Sequence, residues 1–149
     1  MKRPIRVLGA GLLAGLIALA TPTLARADDL FITLTSGSAQ TQGMALILGM
    51  EAIRNGSKVR LLLCDTAGDL ALKEGSAKEG SAPALAPAGK TPRQMLDGLI
   101  DFGATVEVCG LYLPNSGHAA ADLRPGVAPV KPATIGAFMA RPGVRYFTF

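Results

Sequence analysis

The chain has 149 residues, of which 15 are Lys or Arg and 11 are Asp or Glu, so its formal net charge is +4. Four of the basic residues lie before position 28 (Lys2, Arg3, Arg6 and Arg26), and the rest of the chain carries 11 charges of each sign. Since no basic excess remains and no aromatic residues interleave with basic clusters, the composition excludes a nucleic-acid-binding protein. Two cysteines are also too few for a disulfide scaffold.

The first 27 residues have the pattern of a secretory signal peptide. A basic start, Met1–Arg6, precedes the apolar run Val7–Ala20, and Ala25-Arg26-Ala27 supplies small residues two positions apart, as at a cleavage site. The apolar run is shorter than the ~20 residues that a membrane-spanning helix requires. We expect cleavage after Ala27, a single domain over residues 28–149, and a periplasmic or secreted protein with no membrane association once the leader is removed.

Beyond the leader, strand-like and helical patterns alternate along the chain. Strands are predicted over Asp29–Thr35, Lys58–Cys64, Gly103–Cys109, Val127–Val130 and Val144–Phe149. Helices are predicted over Gln40–Arg54, Pro92–Phe102, Asn115–Leu123 and Pro132–Ala140, with a turn and a short helical piece over 65–72. This alternation is typical of an α/β fold, in which a parallel sheet lies between helical layers.

The spacing of residues marks the helices and predicts two buried faces. In the first helix Met44, Ile47, Leu48 and Glu51 are spaced by three and four. The expected inward residues are Met95, Leu96, Leu99, Ile100 and Phe102 in the second helix, and Ile135, Phe138 and Met139 in the last. Met44 and Met50 are expected in the core rather than as copper ligands. Thr91 should cap the second helix, with Gln94 completing a capping box. Pro129 has no N–H, so its strand is expected at an edge of the sheet.

A low-complexity stretch follows the second strand. The pentapeptide Lys73–Ala77 is repeated at once as Lys78–Ala82, and a tract rich in Pro, Ala and Gly continues to Lys90. The repeat lacks the apolar side chains that packing requires. We expect residues 73–90 to form a surface loop, and the alternative is a mobile lid near the Cys64 strand end.

The strongest candidate for chemistry is Cys109, which ends the third predicted strand. Reactive groups in α/β sheets collect at the carboxyl ends of strands, and Gly110, without a Cβ, would leave room for a reactant. In this interpretation Cys109 acts as a thiolate, the nucleophilic form of the side chain. The alternative is a buried cysteine that packs as a small apolar residue.

Two further residues are candidates beside Cys109. Cys64 ends the second predicted strand and is either a resolving or disulfide partner of Cys109 or an inert core residue. His118, the single histidine, either accepts the thiol proton or lies in solvent. One histidine and two distant cysteines do not have the spacing of a zinc site. The segment Gly37–Gly43 lacks both the dinucleotide-binding glycine pattern and a P-loop lysine, so no nucleotide site is expected there. The sequence therefore predicts neither a bound metal nor a cofactor.

Several segments occur in an order known from one protein family. They are the turn Thr33–Gly37, a helix ending at Gly56 before a Val-containing strand, the Gly103–Cys109 strand, the segment Asp122–Val127, and a final strand ending in Phe147-Thr148-Phe149. Together they resemble the DsrE/DsrF-like sulfur-relay family over residues 30–149. The order and spacing of the segments carry this resemblance.

The resemblance implies a three-layer α/β/α sandwich with a five-stranded parallel sheet of strand order 4-3-2-1-5, assembled as a homo-oligomer. Some members of the family carry sulfur as a persulfide on a cysteine at the end of the third strand, which is the position of Cys109. In that strand order the second and third strands are neighbours. Cys64 and Cys109 would then lie ~4.8 Å apart, within disulfide reach.

Taken together, these features favour an exported protein that handles sulfane sulfur or thiol redox equivalents through Cys109. It would act as a persulfide or mixed-disulfide carrier, or as a sulfurtransferase. The candidate partners are a second copy of the chain and a thiol or persulfide donor or acceptor protein. The alternative is a non-enzymatic subunit or a small-ligand binding module of the same fold.

Overall fold

The computed structural model describes residues 28–76 and 82–149. The predicted leader and part of the pentapeptide repeat lie outside these ranges. The described residues form a five-stranded sheet in which all neighbouring strands are parallel, in the order β4-β3-β2-β1-β5. The strands are Asp29–Leu34 (β1), Val59–Leu63 (β2), Thr105–Cys109 (β3), Val127–Val130 (β4) and Val144–Thr148 (β5). The α/β fold class and the strand order are thus confirmed.

Helices cover both faces of this sheet. The α-helices are Ala39–Arg54 (α1), Pro92–Asp101 (α2), Tyr112–Ser116 (α3) and Pro132–Met139 (α4), with 3₁₀ helices at Asp65–Ala71 and Ala120–Asp122. Among the described residues, no helix combines the length and the apolar character that crossing a bilayer requires.

Alternation along the strands separates two apolar clusters. Successive side chains of a strand point to opposite faces, so Leu61 and Leu63 pack on one side of the sheet and Leu62 on the other. The larger cluster lies beneath α1 and α2 and includes Leu46 and Leu96. The smaller cluster lies beneath α4 and consists of Phe31, Leu62, Val130 and Ile135. The chain is therefore layered on both faces, with much thinner cover on the α4 side.

Two predictions are confirmed, one for the start of a helix and one for the place of a strand in the sheet. The Thr91 hydroxyl accepts a hydrogen bond from the Gln94 N–H at 3.3 Å, and the Gln94 side chain accepts one from the Thr91 N–H at 3.0 Å, which forms the capping box. In the sheet, β4 pairs only with β3, so Pro129 lies on an edge strand as its missing N–H requires.

The expectation that Met44 of α1 lies in the core is wrong. Met44, Ile47 and Leu48 are 52%, 40% and 44% exposed, whereas Ala45 and Gly49 face the sheet together with Leu46. A Cβ at Gly49 would lie 3.2 Å from Ile32 Cδ1, so the helix approaches the sheet through its small residues. Leu46 is the one large apolar side chain of α1 that is fully buried on this inner face, and Met44, Ile47 and Leu48 lie on the outer side. Phe102 and Met139, also predicted to point inward, are about half exposed at the ends of their helices.

The predicted helix Asn115–Leu123 is also wrong. The chain forms α3 earlier, at Tyr112–Ser116, and a separate 3₁₀ turn at Ala120–Asp122. Gly117 divides the two, because its φ of +80° belongs to the left-handed region in which helices end.

The described part of the low-complexity stretch has one apolar anchor. Leu85 and Lys90 form an isolated antiparallel bridge, and the Leu85 side chain packs against the larger cluster. A Cβ at Gly43 of α1 would come 2.5 Å from Leu85 Cδ1. Residues 82–90 therefore close back onto α1 through a single leucine.

Candidate functional site

The two cysteines lie where adjacent strands end. Leu63 of β2 is the register partner of Val108 of β3, and Cys64 and Cys109 are the next residues of the two chains. Cys109 is also paired with Val130 of β4. The two candidate residues thus come together at the carboxyl edge of the sheet, where α/β proteins place their ligands.

Both thiols face the α4 side of the sheet. Cys64 and Cys109 pack against the smaller cluster, beside Leu62 and Val130. Each side chain is half-buried, and both are free thiols. Neighbouring strands lie ~4.8 Å apart, and a disulfide tolerates Cα separations up to ~6.8 Å. Cys109 is therefore partly buried as a residue, and Cys64 follows the neighbouring strand beside it.

The surroundings of Cys64 disfavour its thiolate. Burial raises the pKa of Cys64 from 9.0 to about 12, together with a hydrogen bond to the Cys109 side chain and negative charge at Cys109 and Asp65. A bond from the Cys109 backbone N–H acts in the opposite direction, with a smaller effect. Cys64 is thus a thiol at neutral pH, within hydrogen-bonding reach of the Cys109 sulfur. Since the thiolate is the nucleophile, these surroundings disfavour Cys64 as the attacking group.

A sharp turn after β2 fixes the position of Cys64. The Cys64 N–H donates to the Leu34 carbonyl at 2.9 Å, which ties the cysteine to β1. The next residue, Asp65, has a φ of +50°, an uncommon conformation for a residue other than glycine. Such a conformation costs about 1–3 kcal/mol and persists only where the surroundings impose it. The turn directs the chain into the 3₁₀ helix while Cys64 stays at the strand end.

Gly110 does not open a path to Cys109, contrary to the expectation from the sequence. A Cβ at this position would lie 3.1 Å from the Val130 carbonyl oxygen and 3.6 Å from Pro132 Cδ. The absence of a side chain at Gly110 therefore lets the start of α4 approach the end of β3. Gly110 has a packing role.

The segments that follow the two cysteines are joined by Tyr112. Its hydroxyl donates to the Asp69 carboxylate, and its ring lies so close to Gly68 that a Cβ there would come within 2.2 Å of it. Burial, followed by this hydrogen bond and the Asp69 charge, raises the pKa of Tyr112. The 3₁₀ helix after Cys64 and α3 after Cys109 thus form one packed unit.

His118 contacts Tyr112 and Asp122. Its ring stacks on the Tyr112 ring with centroids 6.4 Å apart, and its Nδ1 lies 3.9 Å from an Asp122 oxygen. The side chain is 20% exposed, so it is partly open to solvent. These contacts place His118 in the packing behind α3 and give it no described contact with Cys109.

A partly buried ion pair, not predicted from the sequence, lies on the same face of the sheet as the thiols. Arg60 donates to both Glu107 carboxylate oxygens at 2.7 and 2.8 Å, and the two side chains are 16% and 13% exposed. The Arg60 guanidinium also lies over the Phe138 ring of α4, 4.7 Å from its centroid. The signal in the sequence was a charged residue inside each apolar strand. The pair fixes α4 over the sheet near the thiols.

The segment Gly37–Gly43 is packed by a hydrogen bond to Ser36 and by the side chain of Thr66. The buried Gln42 side chain donates to the Ser36 carbonyl at 2.9 Å, and a Cβ at Gly37 would lie 2.6 Å from Thr66 Cγ2. Within residues 28–76 and 82–149, no three His, Cys, Asp or Glu side chains are placed to hold a metal ion.

A groove lies on the opposite side of the sheet from the thiols. It has a volume of about 420 Å³ and runs between α1 and β5. Its wall is mostly apolar, with Leu30, Leu48, Phe147 and Phe149, and neither cysteine lines it. The groove therefore offers an apolar surface that is separate from the thiol pair.

Comparisons with known proteins identify the fold. No protein-family model matches the sequence, and a search of curated proteins found no match. Among solved structures, the ychN protein from E. coli has a TM-score of 0.61 at 18% identity, covering 80% of this chain and 99% of that one. MTH1491 from Methanobacterium thermoautotrophicum, a protein of unknown function, has a TM-score of 0.56 at 16% identity, covering 82% and 100%. The chain therefore has the DsrE/YchN-like α/β fold, with its five-stranded parallel sheet in the order 4-3-2-1-5.

Proposed function

We propose that this protein carries sulfane sulfur or thiol redox equivalents on Cys109. The observation that supports the proposal is the meeting of two half-buried free thiols at the carboxyl edge of the sheet. The resemblance of the sequence to sulfur-relay proteins also points to Cys109. The comparison with solved structures supports this resemblance at the level of the fold alone.

In the proposed reaction the Cys109 thiolate attacks the outer sulfur of a persulfide donor, R–S–SH. A new S–S bond forms at Cys109, the R–S bond breaks, and RS⁻ leaves and takes up a proton. Cys109 then holds one sulfur atom as a persulfide. Attack on a disulfide donor would give a mixed disulfide by the same exchange.

Cys64 would assist Cys109 rather than replace it. Its raised pKa keeps it protonated at neutral pH, so it can donate an S–H hydrogen bond to the sulfur held next to it. Packing against the smaller cluster would limit the solvent around this bond.

The proposed setting is the periplasm or the outside of the cell. The leader pattern in residues 1–27 supports export. A thiol or persulfide protein would supply or accept the sulfur.

The intact mass of exported protein should correspond to a chain beginning at Asp28, and a chain that retains Met1 would contradict export with cleavage.

A second function is favoured by the apolar groove and by the exposed outer face of α1. Met44, Ile47 and Leu48 on α1 and Phe147 on β5 are 40–52% exposed. This surface would allow a second copy or an apolar small ligand to bind, as in a non-enzymatic subunit or binding module. Such a protein would take up no sulfur on either cysteine.

Intact-mass spectrometry of the reduced protein after treatment with sodium polysulfide would test the carrier proposal. The wild-type protein should react and show changes in mass and in its free thiols, whereas Cys109→Ser should remain unmodified. Cys64→Ser, the matched variant, should gain one sulfur atom on Cys109. If Cys109→Ser still takes up sulfur, or if neither wild type nor Cys64→Ser reacts, the proposal fails and the binding-module alternative gains support.

A further inference from the structure

The fate of a sulfur atom on Cys109 depends on the thiol that lies beside it. Cys64 and Cys109 occupy consecutive register positions beyond the Leu63–Val108 pair, and both pack on the α4 face. No residue separates them along the sheet edge. A persulfide on Cys109 would therefore form next to a second thiol that is already positioned.

We propose, building on the carrier function, that Cys64 discharges the Cys109 persulfide reductively, so that the protein releases sulfide instead of transferring sulfane sulfur to a partner. As the Cys64 proton passes to the outer sulfur of the persulfide, the Cys64 sulfur becomes the thiolate that attacks the inner sulfur, which is Sγ of Cys109. The Cys64–Cys109 disulfide bond forms and the bond between Cys109 Sγ and the outer sulfur breaks. The outer sulfur leaves with the electron pair of that bond and takes the Cys64 proton, giving H₂S.

The atoms and electrons balance in this step. One thiol and one persulfide become one disulfide and one hydrogen sulfide. The sulfane sulfur gains two electrons, and the two cysteine sulfurs lose them. An external dithiol reductant then returns the Cys64–Cys109 disulfide to two thiols, by exchange through a mixed disulfide.

The position of Cys64 favours attack on the inner sulfur. Cys64 and Cys109 directly follow the Leu63–Val108 register pair and face the same side of the sheet, so Cys64 lies beside Cys109 Sγ, whereas the outer sulfur of a persulfide lies one bond further away. Which sulfur is attacked decides the outcome, because attack on the outer sulfur transfers it and attack on the inner sulfur expels it. An attacking group that is already in place also competes at a high effective concentration with any partner protein in solution.

The Asp65 turn and the Tyr112–Asp69 hydrogen bond would hold this arrangement. The first fixes the chain immediately after Cys64, and the second ties that chain to the helix after Cys109. Closing a disulfide between the two strand ends should need little rearrangement, because neighbouring strands lie ~4.8 Å apart and a disulfide accepts Cα separations up to ~6.8 Å.

The test uses reduced full-length protein and one equivalent of glutathione persulfide under anaerobic conditions, with sulfide release and intact mass measured together. Wild type should release one sulfide per chain and lose two hydrogens, and a Cys64–Cys109 linked peptide should appear on non-reducing digestion. Cys64→Ser should retain one extra sulfur atom and release sulfide at least about tenfold more slowly. Cys109→Ser should do neither.

The outcomes separate this inference from the carrier function. Wild type that keeps the extra sulfur on Cys109 with Cys64 still free would overturn reductive discharge and leave the carrier function standing. A glutathione adduct on Cys64→Ser, in place of a sulfur atom, would also overturn it, because the sulfide would then come from direct mixed-disulfide formation. Absence of any reaction in wild type and Cys64→Ser would overturn both. If Cys64→Ser does not fold, Cys64→Ala takes its place in the same measurements, because the linked peptide in wild type would also form through a mixed disulfide.

Discussion

At the scale of single residues, Cys64 and Cys109 have the same side chain but different surroundings. Cys64 is followed by the strained Asp65 turn, and its thiolate is disfavoured by burial and by nearby negative charge. Cys109 ends β3 and packs against both apolar clusters. The environment thus separates a protonated member from the candidate nucleophile, which is how proteins assign unequal roles to identical groups.

The raised pKa of Cys64 predicts a loss of stability at high pH. Above an ordinary pKa of 9.0 the unfolded chain releases the Cys64 proton, while the folded chain retains it up to about 12. The unfolded state then binds fewer protons, so the free energy of unfolding falls as the pH rises through this window. The contribution is at most about 1.4 kcal/mol per pH unit, and less because the side chain is half-exposed.

Urea unfolding of reduced protein between about pH 8 and about pH 10 would measure this contribution. Cys64→Ser should have a shallower decline than wild type, and the difference should persist in a Tyr112→Phe background, since the raised pKa of Tyr112 acts in the same direction. Equal slopes for wild type and Cys64→Ser would show that Cys64 does not resist ionisation in the folded chain.

At the scale of secondary structure, the site is made where elements end. β2 and β3 bring the thiols to one edge, and the Tyr112–Asp69 contact joins the segments that follow them. Gly110 lets α4 approach that edge. The Arg60–Glu107 pair holds the same helix over the thiol face. The positions of the two sulfur atoms therefore depend on a few contacts between different secondary-structure elements.

Gly68 tests the joint between these segments. Gly68→Ala would place a Cβ 2.2 Å from the Tyr112 ring, which is itself buried and hydrogen-bonded. We expect destabilisation of about 1–3 kcal/mol, as for other overpacked sites. Gly136→Ala in α4 is the matched control, because nothing lies within 4 Å of its Cβ position. That change should be neutral or stabilise by up to about 1 kcal/mol in thermal or urea unfolding, and equal effects of the two variants would contradict the packing described at Gly68.

Sequence patterns predicted the elements better than their faces. The strands were predictable because β-branched and apolar runs are bounded by glycine, and the start of α2 because Thr91, Pro92 and Gln94 have fixed roles in a cap. The buried face of α1 was not predictable, since this helix is apolar on both sides. Only its close approach to Ile32 and Leu99 selects glycine and alanine for the inner side.

The candidate site was predictable only in part. Two strands ending in cysteine predicted a thiol pair once the strand order was known. The Asp65 turn, the Tyr112–Asp69 contact and the Arg60–Glu107 pair depend on residues 43 to 47 positions apart or on a local backbone conformation. No local pattern encodes such contacts. The function of Gly110 was misjudged because its nearest neighbours, Val130 and Pro132, are distant in the sequence.

At the scale of the whole molecule, the chain after the predicted cleavage site has no net charge and exposes several large apolar side chains on α1 and β5. Charges of both signs number 11 there, and the outer face of α1 adjoins the groove beside β5. A neutral protein with such a surface favours self-association. This surface lies away from the thiol face, so association through it would leave Cys109 accessible.

Light scattering coupled to size-exclusion chromatography would measure the proposed association. Leu48→Glu places a charge on the outer face of α1, where Leu48 is 44% exposed, and should reduce the measured mass of the assembly. Leu111→Glu is the matched control, since Leu111 is 71% exposed and lies outside this surface. A monomeric wild type, or an equal effect of the two variants, would contradict assembly through α1.

The central claim is that Cys109 is the accessible nucleophile and Cys64 its protonated neighbour. Timed alkylation of the reduced protein with iodoacetamide at neutral pH, followed by peptide mapping, measures both residues in one experiment. The account predicts that Cys109 is modified first, and that Cys64 in the Cys109→Ser variant reacts at least about tenfold more slowly than Cys109 in Cys64→Ser. Preferential modification of Cys64, or resistance of Cys109 to the reagent in the folded protein, would contradict it.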